Sequence, residues 1–411
     1  MTMLRLYNTL TKRKERFAPL RKGQVGLYAC GPSVYLAPHI GNFKTYVFED
    51  VLRRWLEYRG YRVKHVMNIT DVEDKGVRDA DGSMKKLVEI TEKHTHQFFK
   101  DAKTLGLLKP THVPKATAHV RDMVGLIGKL MKRGYAYEWE DGNIYYDISK
   151  FKNYCRLSRT PRSKFAGIER RVSKDDYWQY EMGDFVLWKA RRRADGDMWW
   201  RSPWGKGRPG WNIECSAMCM RYLGPTADIH AGGSDLVFSH HDNEIAQSEG
   251  ATGRKFVRYW MHCRHLLING QKMSKSLRNY YTVGQLMKRG YDGRAIRYML
   301  LSGHYRKRFN FTFKRMREFA RDLRKVDECY EILKNYKNGK RNQKIEGKLA
   351  RYLREFGGAM GDDLNAPHAL TIFIHMMGEL HGLARRKGMS REEAGKALAT
   401  VERMNEVLAV L

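Results

Sequence analysis

Cysteine is scarce and scattered in this chain, with Cys30, Cys155, Cys215, Cys219, Cys263 and Cys329 spread over 411 residues. Six thiols so thinly placed are no disulfide framework, which leaves reduced thiols or metal ligands. Long apolar runs are missing too. No stretch approaches the ~18 apolar residues that a membrane span needs. The segment from Met1 to Phe17 carries Lys12, Arg13, Lys14 and Arg16 with no apolar run behind them, so it has no secretory pattern. A cytoplasmic protein with no membrane partner is expected. No internal repeat is present. Acidic residues are outnumbered, 45 Asp and Glu against 77 Lys and Arg, for a formal net charge of +32. The excess runs through the whole chain and exceeds what solubility requires. It implies a polyanionic partner, although a lysine-rich or salt-adapted host proteome would also produce it.

What is present begins with 42% hydrophobic residues in a 411-residue chain. That is enough for a large core divided into about two to four domains. Val25–Cys30 and Val63–Met67 read as strands flanking a helix from Gly41 to Arg59, a βαβ unit in prospect. From about Leu105 to Tyr135 the pattern is helical. From Tyr145 to Ala194 it is irregular and rich in Arg, Lys, Trp and Tyr, as in an inserted module. Strand patterns return at Ala227–His230 and Phe256–Met261, so the two halves should complete one parallel sheet. Met316, Phe319, Leu323, Val326, Tyr330 and Leu333 recur every three or four residues as one buried helix face. A Lys/Asn-rich linker, Lys334 to Lys344, follows, and Ser390 with Glu393 predicts a capping box at the start of the last helix. The expected organisation is α/β. A Rossmann-like parallel-sheet domain (1–120 and 196–268) is split by a connective module (121–195), then followed by a loop region (269–310) and an all-α bundle (311–411).

Two short strings carry the chemistry. In Pro38-His39-Ile40-Gly41-Asn42, Gly41 lets backbone approach a ligand, and Tyr46, Val47, Val51, Leu52 and Leu56 behind it have the spacing of a buried helix face. A phosphate at the mouth of that helix meets free N–H groups and the positive end of the dipole. His39 can donate to a phosphate oxygen as charge builds. In Lys272-Met273-Ser274-Lys275-Ser276, Lys272 and Lys275 supply mobile positive charge for a departing pyrophosphate. Each string alone is an ordinary loop. Together they read as one split ATP site, and no general base is needed if the attacking group is already a carboxylate. The chemistry is carboxylate activation by adenylate transfer.

A metal constellation is also legible. His240 and Glu244 are four apart in a stretch that reads as a helix start, so both can reach one ion. Cys30 ends the first strand, at the end of a parallel sheet where ligands bind, and Cys215 lies in Trp211-Asn212-Ile213-Glu214-Cys215. Cys30, Cys215, His240 and Glu244 would make a mixed S, N and O zinc site. By spacing alone Cys219 and His241 are rival ligands.

The two strings resemble the signatures of class I aminoacyl-tRNA synthetases, with Asn42 standing where many members have a second His. Cys30-Gly31-Pro32-Ser33-Val34-Tyr35, Asn68-Ile69-Thr70-Asp71, Asp184–Lys189, Gly210–Cys215 and Asp228–Asp235 are, in order and over essentially the whole chain, similar to the cysteinyl-tRNA synthetases. The resemblance implies His39, Asn42, Lys272 and Lys275 as catalytic residues. It implies ATP contacts from His39, Gly41, Asn42, Gly232, Asp235 and Lys275, and cysteine contacts from Gly31, Thr70, Trp211 and His230. It also implies one zinc ion (Zn2+) on Cys30, Cys215, His240 and Glu244 that binds the substrate thiolate, and magnesium (Mg2+) with the ATP. Partners would be ATP, L-cysteine and tRNA, with a monomer favoured. The alternative acceptor is the amine of a small glycoside, as in the related cysteine ligases of mycothiol biosynthesis. An inactive RNA- or cysteine-binding paralogue is suggested by Arg264 and Arg278, where the family usually has Gly. The chain ends at Leu411, about where the bundle should end, so the anticodon-binding domain usual in the family is expected to be lacking, and tRNA would be held by acceptor-stem contacts and charge.

Overall fold

The structure, a computed structural model, describes residues 3–161, 171–172, 183–273 and 279–411. An antiparallel hairpin, β1 (Arg5–Asn8) and β2 (Arg13–Arg16), leads into β3 (Gln24–Ala29), helix α1 (Ile40–Tyr58) and β4 (Arg62–Met67). Strands β3 and β4 pair in parallel, so α1 is the crossover expected from the sequence. Helices α2 (Asp74–Asp79), α3 (Met84–Thr104) and α4 (Val120–Lys132) follow. Next come β5 (Ala136–Glu138), β6 (Ile144–Tyr146), β7 (Arg171–Val172), β8 (Asp184–Ala190), β9 (Trp200–Ser202) and β10 (Gly205–Pro209). They form a second sheet in the order β5-β6-β8-β10-β9, with β7 parallel beside β8.

The chain returns through α5 (Trp211–Leu223), β11 (Ala227–Gly233), α6 (Asp242–Thr252) and β12 (Val257–Cys263). The central sheet has the order β12-β11-β3-β4 and is parallel throughout, so the two halves do complete one sheet. Helices cover such a sheet on both faces, which is why Ala227–Ala231 are all buried rather than alternating. Beyond it, β13 (Leu266–Ile268) and β14 (Gln271–Lys272) precede α7 (Val283–Met287) and α8 (Gly293–Leu301). Strand β15 (Phe309–Phe311) then pairs with β13. The rest is helical: α9 (Phe313–Lys334), α10 (Ile345–Gly361), α11 (Ala366–Arg385) and α12 (Arg391–Leu408). The Ser390/Glu393 capping box forms as predicted.

Three local expectations need correction. The helical stretch expected from Leu105 to Tyr135 begins late, because α3 ends at Thr104 and helix resumes at Ala116, with α4 covering Val120–Lys132. Gly106 at φ 67° turns the chain, and Pro110 and Pro114 cannot continue a helix. The stretch from Tyr145 to Ala194 is not irregular throughout, since it supplies strand residues of β6, β7 and β8 to the second sheet. Ile144–Tyr146 are buried on both sides, which hides the period of two. On α9, Tyr330 is only partly buried and Cys329 takes the inward position.

The helical region docks on α1 through a buried ion pair. Arg297 donates from Nη2 to Asp50 (2.6 Å), from Nε to the Leu408 carbonyl (2.7 Å) and from Nη1 to that of Leu105 (3.2 Å). Burial opposes the Asp50 charge, but Arg297 and Arg54 hold its carboxyl below the usual range. Glu49, the residue before, is the opposite case. It is fully buried, neither oxygen has a hydrogen-bond partner among the described residues, and burial pushes its carboxyl well above the usual value. A raised folded-state pKa in an acid means that stability falls as pH rises from the unfolded-state value of about 4.3. Glu49→Met, of similar volume, is expected to stabilise the fold by about 1–3 kcal/mol at pH 7, with the gain shrinking toward pH 4. Thermal melts of both proteins from pH 4 to 8 check this.

Candidate active site

The carboxyl ends of β3, β11 and β12 converge on one cleft, the ligand-binding end of a parallel sheet. At its mouth His39 is the N-cap of α1. Its Nδ1 accepts from the Asn42 N–H (3.2 Å), and the Asn42 Oδ1 accepts from the His39 N–H (3.0 Å). Because Nδ1 is an acceptor in this reciprocal cap, the ring proton sits on Nε2, free to donate toward a ligand. Burial lowers the His39 pKa to about 4, partly offset by its backbone hydrogen bond and by Asp235, so the ring is neutral at physiological pH. A Cβ on Gly41 would lie 2.8 Å from Cε1 of that ring, so only glycine leaves the imidazole in place.

The downstream string meets the upstream one. The Tyr280 ring stands edge-on to His39 at 4.9 Å, the Ile40 N–H donates to the Tyr281 carbonyl (2.9 Å), and the Met273 methyl is 3.7 Å from where a Gly41 Cβ would sit. Lys272 is exposed on β14, and the Asn279 side chain donates to its carbonyl at 3.1 Å. Ser274, Lys275, Ser276 and Arg278 lie outside the described residues. Arg264 has an ordinary negative φ and an exposed side chain, so replacing the usual Gly strains nothing there.

Deeper in the cleft, single donor atoms of Cys30, Cys215, His240 and Glu244, all buried, lie within 4.8 Å of one another. Tetrahedral zinc with bonds of about 2.0–2.3 Å spaces its ligand atoms roughly 3.3–3.8 Å apart. Cys30 Sγ to Cys215 Sγ is 3.9 Å, and His240 Nε2 to Glu244 Oε1 is 3.3 Å, so the cluster fits such an ion. The α-helix begins at Asp242, not before His240 as the sequence suggested. His240, from the turn Val237–His241 that precedes it, still meets Glu244 from its first turn. The hydrogen bond from Cys30 and the neighbouring His240 bring the Cys215 thiol down to about 6, against burial and Glu244. Burial alone would make His240 a weaker base, but Cys215 and Glu244 outweigh it and raise its pKa.

Outer partners fix these ligands. His240 Nδ1 is 3.0 Å from Asn212 Oδ1, which leaves Nε2 as the free ligand atom, and Trp211 stacks on the His240 ring at 4.3 Å. His230 Nε2 is 3.0 Å from Glu244 Oε2, and its Nδ1 has no hydrogen-bond partner among the described residues. Of the two rival ligands, Cys219 joins neither donor group found among the described residues. His241 joins one with Cys30, His230 and Glu244. Its Nε2 is 3.3 Å from Cys30 Sγ, and its Nδ1 is 2.7 Å from His262 Nε2.

The remaining expected contacts are placed as follows. Gly31 donates to Asn68 Oδ1 (2.9 Å), and a Cβ there would strike the Asn68 carbonyl at 1.7 Å. Thr70 is buried, with its hydroxyl accepting from Asn68 Nδ2 at 3.1 Å. Gly232 faces the His241 ring and Leu236, and Asp235 is exposed beside Gly233. Asn212, His262 and Tyr280 went unnoticed in the sequence because each acts on a neighbour rather than on a ligand, and no spacing marks that.

Comparison with known proteins agrees with this geometry. Residues 16–321 match the family described as tRNA synthetases class I (C) catalytic domain, and residues 355–411 match the DALR domain. The expected lack of the family's anticodon-binding domain is therefore not supported, because residues 355–411 match the DALR domain. The cysteine–tRNA ligase of Brachyspira hyodysenteriae is 43% identical over 407 residues, 98% of this chain and 85% of that one. The cysteine–tRNA ligase of Protochlamydia amoebophila is 40% identical over 99% of this chain and 86% of its own. The methionyl-tRNA synthetase of Mycobacterium tuberculosis in complex with methionyl-adenylate shares the fold, with a TM-score of 0.66 and 14% identity over 94% of this chain and 90% of that one. A parallel sheet with a histidine-capped helix and a thiol-rich donor cluster at its carboxyl end, matched along nearly its full length by these ligases, makes this chain a member of the cysteine–tRNA ligase family of class I aminoacyl-tRNA synthetases.

Proposed function

We propose that the protein joins L-cysteine to ATP as cysteinyl-adenylate and then transfers the cysteinyl group to tRNA. The observation that carries this reading is the buried cluster of Cys30, Cys215, His240 and Glu244, a donor set suited to a thiophilic ion. A zinc ion held there lowers the pKa of a thiol and prefers it to a hydroxyl or methyl group, which selects cysteine without an editing step. The set with two thiols is favoured over the one with His241, because a thiophilic ion prefers the Cys215 sulfur to a second imidazole.

His230 holds Glu244, Trp211 covers His240, and Gly31 with Thr70 lines the amino-acid side of the cleft. His39 donates from Nε2 to the α-phosphate over the start of α1, while Gly41 and Asn42 keep that ring in register. Gly232 and Asp235 face the adenosine. The cysteine carboxylate oxygen bonds to the α-phosphorus, the bond to the bridging oxygen of the β-phosphate breaks, and Lys272 and Lys275 offset the charge of the departing pyrophosphate; a magnesium ion bound with the ATP would neutralise more of it. A ribose 2′-hydroxyl of tRNA then attacks the adenylate carbonyl carbon and AMP departs.

The test is cysteine-dependent ATP–pyrophosphate exchange, followed by transfer of labelled cysteine to total tRNA. Exchange and transfer together are expected. Exchange without transfer points to an amine acceptor, and no exchange removes the adenylation reading. With a net charge of +32, tRNA affinity is expected to fall by about 10³-fold or more between roughly 50 and 200 mM salt. Filter binding that barely changes over that range contradicts a charge-held tRNA.

A further inference from the structure

Lys44 lies in the second turn of α1 and is 2% exposed, yet no carboxylate pairs with it among the described residues. Its ammonium donates instead to main-chain carbonyls of Arg264 (2.6 Å), Lys307 (3.3 Å) and Tyr305 (3.4 Å), with Cys263 Sγ at 3.4 Å. Three N–H donors shared among these four acceptors use the full capacity of an ammonium group. A buried cation held only in this way is costly, so its partners are informative.

The acceptors come from two segments, one leading from β12 into β13 and the other leading into β15. The Arg264 N–H donates to the Tyr305 carbonyl at 2.7 Å, which joins the same two segments. Strands β13 and β15 pair in parallel, and β13 pairs with β14, where Leu267 faces Lys272. The side chain of Lys44 therefore ties the helix capped by His39 to the small sheet that presents Lys272. From the other side, Asp363 accepts from the Tyr305 hydroxyl (2.6 Å) and Arg306 Nε (2.5 Å), so the 305–307 segment stays anchored to the helical region whatever happens at Lys44.

We propose that Lys44 is a positioning residue that sets the separation between the two halves of the ATP site, without touching the nucleotide itself. The inference rests on the adenylate-forming reading above. Loss of the clamp misplaces Lys272 relative to His39. Misplacement on the order of 1 Å costs on the order of 10²-fold in rate. The cysteine cluster hangs on β3, α5 and α6 and is not held by this clamp.

The test compares wild type, Lys44→Met, Lys44→Gln and Lys44→Arg. Measured are exchange kinetics against ATP, equilibrium binding of a non-hydrolysable ATP analogue, cysteine binding without nucleotide, and zinc content. Lys44→Met is expected to raise the KM for ATP and lower exchange, together on the order of 10²-fold, with zinc content and cysteine affinity unchanged. Lys44→Arg should recover much of the loss. Lys44→Gln, which keeps donors at smaller volume, carries the same expectation if the methionine variant does not fold. Unchanged ATP parameters in any folded Lys44→Met or Lys44→Gln protein overturn the proposal, as does a parallel fall in cysteine affinity, the mark of general destabilisation. A wild type that binds the ATP analogue but shows no exchange refutes the adenylation reading, and the analogue affinities still decide the role of Lys44.

Discussion

Replacing His39 with alanine is expected to slow cysteine-dependent exchange by on the order of 10²–10³-fold, the loss typical for a donor aimed at developing transition-state charge. The affinity for cysteine, bound deeper in the cleft, should not change. The direction of the proton follows from the helix cap. Nδ1 accepts from the Asn42 N–H, so the ring donates from Nε2. Burial pushes the His39 pKa down to about 4. The neutral, donating form therefore persists from pH 5 upward, and protonation below about 4 adds a hydrogen at Nδ1 and breaks the cap. The exchange rate of wild type should show no inflection from His39 between pH 5 and 8. A pH–rate profile with an inflection near 6.5 that vanishes in His39→Ala contradicts this assignment.

The second large effect is on metal retention. Cys215→Ala should abolish stoichiometric zinc and, with it, cysteine-dependent exchange, because it removes one of two thiols from a four-donor cluster. Asn212→Ala leaves every ligand in place but frees the His240 ring, and should weaken zinc by about 10–100-fold, as expected for an outer partner. His241 belongs to the rival group, so the comparison decides between them. If the Cys215 set is the metal centre, His241→Gln weakens zinc less than Cys215→Ala does. Competition titrations with a chromophoric chelator give all three affinities, and the reverse order assigns the ion to His230 and His241.

Much of this architecture was legible in the residues. The central strands are short apolar runs closed by turns, and Tyr46, Val47, Val51, Leu52 and Leu56 mark the buried side of α1, so the sheet and its crossover could be read directly. Helix α3 escaped because few of its residues, Leu87, Thr91, Phe98, Asp101 and Ala102, are buried, and most of the remaining positions are polar, five of them lysines. The second sheet escaped because β6 and β7 are only three and two residues long and β8 is buried on both faces, so no period of two shows.

Within the site, Cys30, Cys215, His240 and Glu244 were nameable because their residue types announce a metal. Spacing left Cys219 and His241 open, and only the fold removes Cys219, one turn along α5, from the cluster. Lys44 gave no sign at all. A lysine on a helix in a chain this basic reads as solvated surface, and only the three carbonyls around it reveal a buried clamp.

The central claim is that the sulfur of free cysteine is recognised at the cluster of Cys30, Cys215, His240 and Glu244. It is tested most directly by loading the protein with cobalt(II) and following the thiolate-to-metal absorption as cysteine or serine is added. The account predicts thiolate bands from Cys30 and Cys215 at the outset, a further increase with cysteine that saturates at one equivalent, and no change with serine. Bands that do not respond to cysteine, or that respond equally to serine, would mean that the cluster is a structural site and that cysteine is selected elsewhere.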